Sequence, residues 1–115
     1  MKGKSLLSTN IQGEIMTNSN RQKIAKWRDS LDRTLASLHF QKIHRKKLRI
    51  SLKFWIRSNR LQNRRNDLDN LTKPVLDSMK RIGMIEDDAF IFHLDVSKFP
   101  TNGEEELQLI IREVT

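Results

Sequence analysis

No cysteine occurs in the 115 residues, so disulfides and thiolate metal sites are excluded and the chain suits a reducing cytosol. Glycine is scarce, and Gly3, Gly13, Gly83 and Gly103 stand isolated. A phosphate-cradling loop needs clustered glycines, so nucleoside triphosphates are not expected as substrates. His39, His44 and His93 do not fall at a metal-binding spacing, and no serine–histidine arrangement resembles a nucleophilic triad. No apolar run approaches the ~18 residues of a membrane span. The first ten residues offer only Leu6-Leu7 as an apolar stretch, too short for a secretory signal. The expectation is one soluble, cytoplasmic domain that makes no membrane contact.

Charge is what the chain has in excess. The formal net charge is +8, and it is unevenly spread: residues 1–65 carry 17 Lys+Arg against 3 Asp+Glu, residues 66–115 carry 5 against 11. Such polarity favours a polyanion on the basic part and a cation on the acidic part. Surface lysines that merely keep the chain soluble are the alternative; nucleic acid is the favoured partner.

Residues 1–17 show no clear periodicity and read as an arm or an edge strand ahead of a domain spanning 18–115. Ile24, Trp27, Leu31, Leu35 and Leu38 then form one apolar stripe at helical spacing, with Ser19 or Asn20 as N-cap. Leu48, Ile50, Leu52, Phe54 and Ile56 alternate with Arg49, Ser51, Lys53, Trp55 and Arg57, a half-buried strand with a basic outer face. After a polar loop, Pro74 places the start of a second helix near Asn70 or Leu71, because proline is tolerated in the first turn. Its stripe is Leu71, Val75, Met79 and Ile82, and Gly83 is the stop. Phe90, Phe92, Leu94 and Val96 predict a strand, the segment Pro100–Gly103 a turn, and Leu107, Leu109 and Ile111 a last strand. The order helix, strand, helix, strand, strand implies an α+β domain, helices packed on a small sheet.

Asp67 and Asp69 lie two apart in an arginine- and asparagine-rich run. In an extended segment both carboxylates point the same way and can reach one cation. Mg²⁺ prefers oxygen ligands and needs only one or two protein carboxylates beside water and phosphate, with Mn²⁺ as a substitute. Asp88 heads the strand after the second helix; if that strand runs beside the one leading to Asp67, it arrives at the same edge of the sheet. Asp87 points the other way. Helix capping explains Asp69 as well as metal binding does, but not Asp67 or Asp88. Lys73, four residues past Asp69, is placed to stabilise negative charge on a phosphoryl transition state; its bland alternative is a surface ion pair, with Asp77 as an ordinary partner. Arg45, Lys46, Lys47, Arg57, Arg60, Arg64 and Arg65 are candidates to track phosphates. Trp27 belongs to the core, whereas Trp55 faces away from it, toward a base, a partner or a second cover layer.

The runs Asp67-Leu-Asp-Asn-Leu-Thr-Lys-Pro-Val-Leu-Asp77 and Gly83-Met-Ile-Glu-Asp-Asp88 resemble the central signature of the RusA family of Holliday junction resolvases. The resemblance covers roughly residues 48–113, including the strand that bears Lys98, counted here among the DNA-contacting residues; Trp27-Arg28 resembles an aromatic–arginine pair common there. It implies a small RusA-like mixed sheet with packed helices, a homodimer, and a Mg²⁺-dependent endonuclease that resolves four-way DNA junctions in recombination and repair. Asp67, Asp69 and Asp88 then match the metal-binding aspartates and Lys73 the catalytic lysine. The cuts would be paired and symmetric, leaving 5′ phosphate and 3′ hydroxyl ends. A binding module without catalysis, or a related nuclease of flaps or duplexes, is the alternative. One departure is that the family usually opens with a strand, which residues 1–17 are too poorly patterned to supply.

Overall fold

The structure, a computed structural model, describes residues 4–18, 21–38, 43 and 46–114. Its elements run β1 (Lys4–Gln12), α1 (Arg21–Ser37), β2 (Leu48–Arg57), α2 (Leu68–Arg81), β3 (Ile91–Thr101) and β4 (Glu106–Glu113), with short 3₁₀ turns at Arg64–Asn66 and Asp88–Phe90. The four strands form one mixed sheet in the order β1-β4-β2-β3. β4 is antiparallel to both β1 and β2, whereas β2 and β3 are parallel. This is an α+β domain. No helix among the described residues is long and apolar enough to cross a membrane.

β2 forms the centre because its alternation is complete. Leu48, Ile50, Leu52, Phe54 and Ile56 are all buried, and the residues between them are not. Each such side chain contributes roughly 1.5–3 kcal/mol of transfer free energy. They meet Leu107, Leu109 and Ile111 of β4, Ile24, Trp27, Leu31 and Leu35 of α1, and Leu71, Val75 and Met79 of α2 in one cluster. The other face of β2 carries Trp55, whose ring stacks on Phe99 of β3 at 5.3 Å. The proposed N-cap of α1, Ser19 or Asn20, lies outside the described residues.

Residues 4–12 do supply an opening strand. β1 pairs with β4 from Lys4 to Gln12, but a register shift between Ser5 and Leu7 breaks the period of two. A bulge of this kind turns Leu6-Leu7 into an unreadable doublet. Further on, the polar Thr9 takes a core-face position opposite Leu109.

α2 also begins earlier than Pro74 implied. Asp67 is its N-cap, with the side chain accepting from Asn70 N at 2.9 Å, so Asp69 lies in the first turn rather than in an extended approach. Pro74 stands in the second turn. The helical bond it forfeits is to the carbonyl of Asn70, an exposed residue, so water can satisfy that group. Gly83 does end the helix: it adopts φ +78°, and the N–H groups of Gly83 and Met84 close on Lys80 O and Met79 O.

A buried ion pair ties the two ends of the sheet's far corner together. The Glu105 side chain is 1% exposed and pairs with Arg60, while its oxygens also accept from Ile15 N and Arg57 N. Arg60 in turn donates to Ile15 O at 2.6 Å. Removing one partner strands the other in a dry site. Arg60→Ala is therefore expected to lower stability by about 3 kcal/mol, read from urea denaturation; a loss below about 0.5 kcal/mol would place Arg60 on the surface instead.

Candidate functional site

α2 packs beside β3 and leaves a groove of about 610 Å³ along its flank, lined by Leu68, Asp69, Thr72, Lys73, Leu76, Asp77, Lys80 and Asp88 with Leu94 and Val96 of β3. The helical period places Asp69, Lys73, Asp77 and Lys80 in one row, since residues three or four apart share a face. Opposite charges therefore alternate along the groove. Thr72 closes on the first turn through Oγ1 to Leu68 O at 2.7 Å. Asp67 caps the helix just outside the groove.

Asp88 enters from the other end. It begins the 3₁₀ turn before β3, and Asp87 caps that turn by accepting from Ala89 N. The Lys80 ammonium lies 3.2 Å from Asp88 and 3.8 Å from Asp77. Lys80 is raised above its ordinary pKa, first by its hydrogen bond to Asp88 and further by the nearby carboxylates. In the chain alone, this ammonium is the cation that these two carboxylates hold.

The three aspartates do not converge within one chain. β3 does run beside β2, as expected, but parallel to it, so it starts where β2 starts and not where β2 ends. α2 is the crossover that carries the chain back. Asp67 follows Asn66, whose carbonyl is held by Lys98, and Lys98 lies roughly 23 Å along β3 from Ile91 at the usual strand rise. Among the described residues, no three acidic or histidine side chains are grouped to hold a metal ion. The donors themselves are hard carboxylate oxygens, the type Mg²⁺ takes, and that ion uses as few as one or two of them.

The basic residues divide into two sets. Arg57, Arg64 and Arg65 are exposed around the loop before α2, and the Lys73 side chain makes no hydrogen bond or ion pair among the described residues. Lys46 pairs with Glu113 at 3.5 Å, and Lys47 lies over the Phe92 ring. Arg45 falls outside the described residues. Two residues expected on phosphates are turned inward instead: Arg60 onto Glu105, and Lys98 onto the carbonyls of Leu61 and Asn66 at 2.8 and 3.0 Å. Asp77, expected beside Lys73, pairs with Lys80.

Sequence reasoning missed Lys80, Asn66 and Glu105. Lys80 had a signal, its three-residue spacing from Asp77. Asn66 is buried and donates from Nδ2 to Arg60 O at 3.0 Å, with nothing in its asparagine-rich surroundings to single it out. No curated protein matches the chain. The family model of endodeoxyribonuclease RusA, however, matches residues 8–112, from within β1 to the penultimate residue of β4. The chain therefore belongs to the RusA family of endodeoxyribonucleases, DNA hydrolases of the Holliday junction resolvase type.

Proposed function

We propose that the protein resolves four-way DNA junctions as a Mg²⁺-dependent homodimer, making paired, symmetric nicks. The observation that carries this reading is the groove beside α2, where Asp69, two residues past the cap Asp67, shares one surface with Lys73, whose ammonium is unengaged among the described residues. Asp67, Asp69 and Asp88 are the proposed metal ligands, and Mn²⁺ has the same preference for oxygen. A divalent ion bound there supplies Lewis acidity to the scissile phosphate. Lys73 stabilises the negative charge that builds on the phosphoryl oxygens. Arg57, Arg64 and Arg65 hold the flanking phosphates and set the register of the strand.

Because one chain keeps Asp88 far from Asp67, the reading takes the third carboxylate from a second copy. In a two-fold dimer, Asp67 and Asp69 of one protomer face the partner's Asp88, and the reverse holds at the second site. Exposed apolar side chains support such an assembly: Leu68 and Leu94, which line the groove, are 38% and 44% exposed, and Phe92 near the start of β3 is 56% exposed, surface that a partner would bury. Two sites related by a two-fold axis suit a substrate whose strands are related in the same way.

The test is cleavage of a synthetic four-way junction with Mg²⁺ and with chelator. Symmetric nicks that require the metal are expected. Equal cleavage of flaps or plain duplex would assign the chain to a different substrate, and tight binding without cleavage would make it a binding module.

A further inference from the structure

We propose that Lys98 is a positioning residue for the metal-binding loop, an assignment that rests on the function proposed above. Lys98 belongs to the core face of β3. Leu94, Val96 and Lys98 stand opposite Ile50, Leu52 and Phe54 of β2, so a lysine continues an apolar row. Lys98 is half-buried there, so its stem lies along the apolar row while its ammonium gains from polar partners close by. Its partners are main-chain carbonyls: the ammonium donates to Leu61 O at 2.8 Å and to Asn66 O at 3.0 Å.

These two carbonyls bracket the turn that delivers Asp67. Asn66 O belongs to the peptide bond entering Asp67, the residue that caps α2. The same turn is held a second time by the buried Asn66 side chain, which donates to Arg60 O, and Arg60 is anchored by Glu105. Asn63 Oδ1 accepts from Arg65 N inside the loop. Lys98 thus fixes the backbone one bond from a proposed metal ligand, with its ammonium held by two main-chain carbonyls. Groups that orient metal ligands in this way change metal affinity by about 10–100-fold when they are lost.

The experiment uses the full chain without DNA and Mn²⁺ as the probe, followed by electron paramagnetic resonance. Lys98→Met keeps the aliphatic stem and removes the ammonium. It is expected to weaken Mn²⁺ binding by about tenfold or more, to speed amide exchange across residues 64–70, and to leave junction affinity in chelator unchanged. Lys98→Arg, which keeps donors for both carbonyls, should recover most of the Mn²⁺ affinity. A lesion of general stability would not be restored selectively in this way.

Mn²⁺ binding equal to wild type in folded Lys98→Met overturns the assignment. So does a fall in junction affinity with a loss of about one unit of salt slope, the mark of a phosphate contact. If Lys98→Met does not fold, Asn66→Ser removes the other clamp on the same turn and carries the same expectation for Mn²⁺; unchanged binding there is equally fatal. Wild-type protein that binds no Mn²⁺ overturns this inference together with metal dependence. Wild-type protein that binds Mn²⁺ but leaves the junction uncut defeats the proposed function alone, since the positioning effect is read without DNA.

Discussion

Mixing the Asp69→Asn and Asp88→Asn variants is expected to restore nicking that neither has alone. Each substitution removes one carboxylate from every site of its own homodimer, so each homodimer is inactive. In a heterodimer built on shared sites, one site collects both lesions and the other collects neither. Statistical exchange makes half of the dimers mixed, and each has one sound site of two, so recovery of about a quarter of wild-type nicking is expected. The product is a singly nicked junction, because the second cut needs the second site. Sites formed within a single chain predict no recovery, since every chain in the mixture then carries a lesion in its own site. Both variants should still bind the junction, as removing a negative charge near phosphates relieves repulsion. A variant that fails to fold would point to a structural task for its aspartate. Asp88, paired with Lys80 at the surface, and Asp69, exposed in a first helical turn, are poor candidates for that.

The separation that motivates this experiment was not legible in the sequence, although the elements were. Alternation in β2 predicted every buried residue of that strand, and the stripe from Leu71 to Met79 with Gly83 behind it predicted the body and end of α2. Alternation reports faces, however, and says nothing about which strand is a neighbour or in which direction it runs. Asp88 was expected at the Asp67 edge for that reason, and the parallel pairing of β2 with β3 places it at the opposite end. β1 was obscured by its bulge. Pro74 misled because its lost hydrogen bond falls on the carbonyl of an exposed residue, Asn70, where a second-turn proline costs less than in a buried helix. Glu104, Glu105 and Glu106 look equivalent as text, yet only the middle one is buried. Lys98 did carry a signal: it follows Leu94 and Val96 on the strand face turned toward the core row of β2, where a half-buried lysine gains from polar partners beside it.

Lys73→Ala is expected to lower the single-turnover cleavage rate by about 10²–10³-fold, the usual effect of losing one electrostatic stabiliser of a transition state. Junction affinity should barely move. One cation among the chain's 22 basic residues changes phosphate neutralisation by on the order of one unit of salt slope. The geometry supports the asymmetry. Lys73 stands in the groove between Asp69 and Asp77, yet the described residues give its ammonium no carboxylate to hold, whereas Lys80 about two turns further on is committed to Asp77 and Asp88. A lysine needed only for helix stability would be paired as Lys80 is. Lys80→Ala therefore serves as the internal comparison: it removes an equal charge from the same groove, and its effect on the rate should be far smaller than that of Lys73→Ala. Equal losses in rate and affinity for Lys73→Ala would reduce this residue to a DNA contact, and equal rate losses for the two lysines would mean that the groove needs positive charge without caring where it lies.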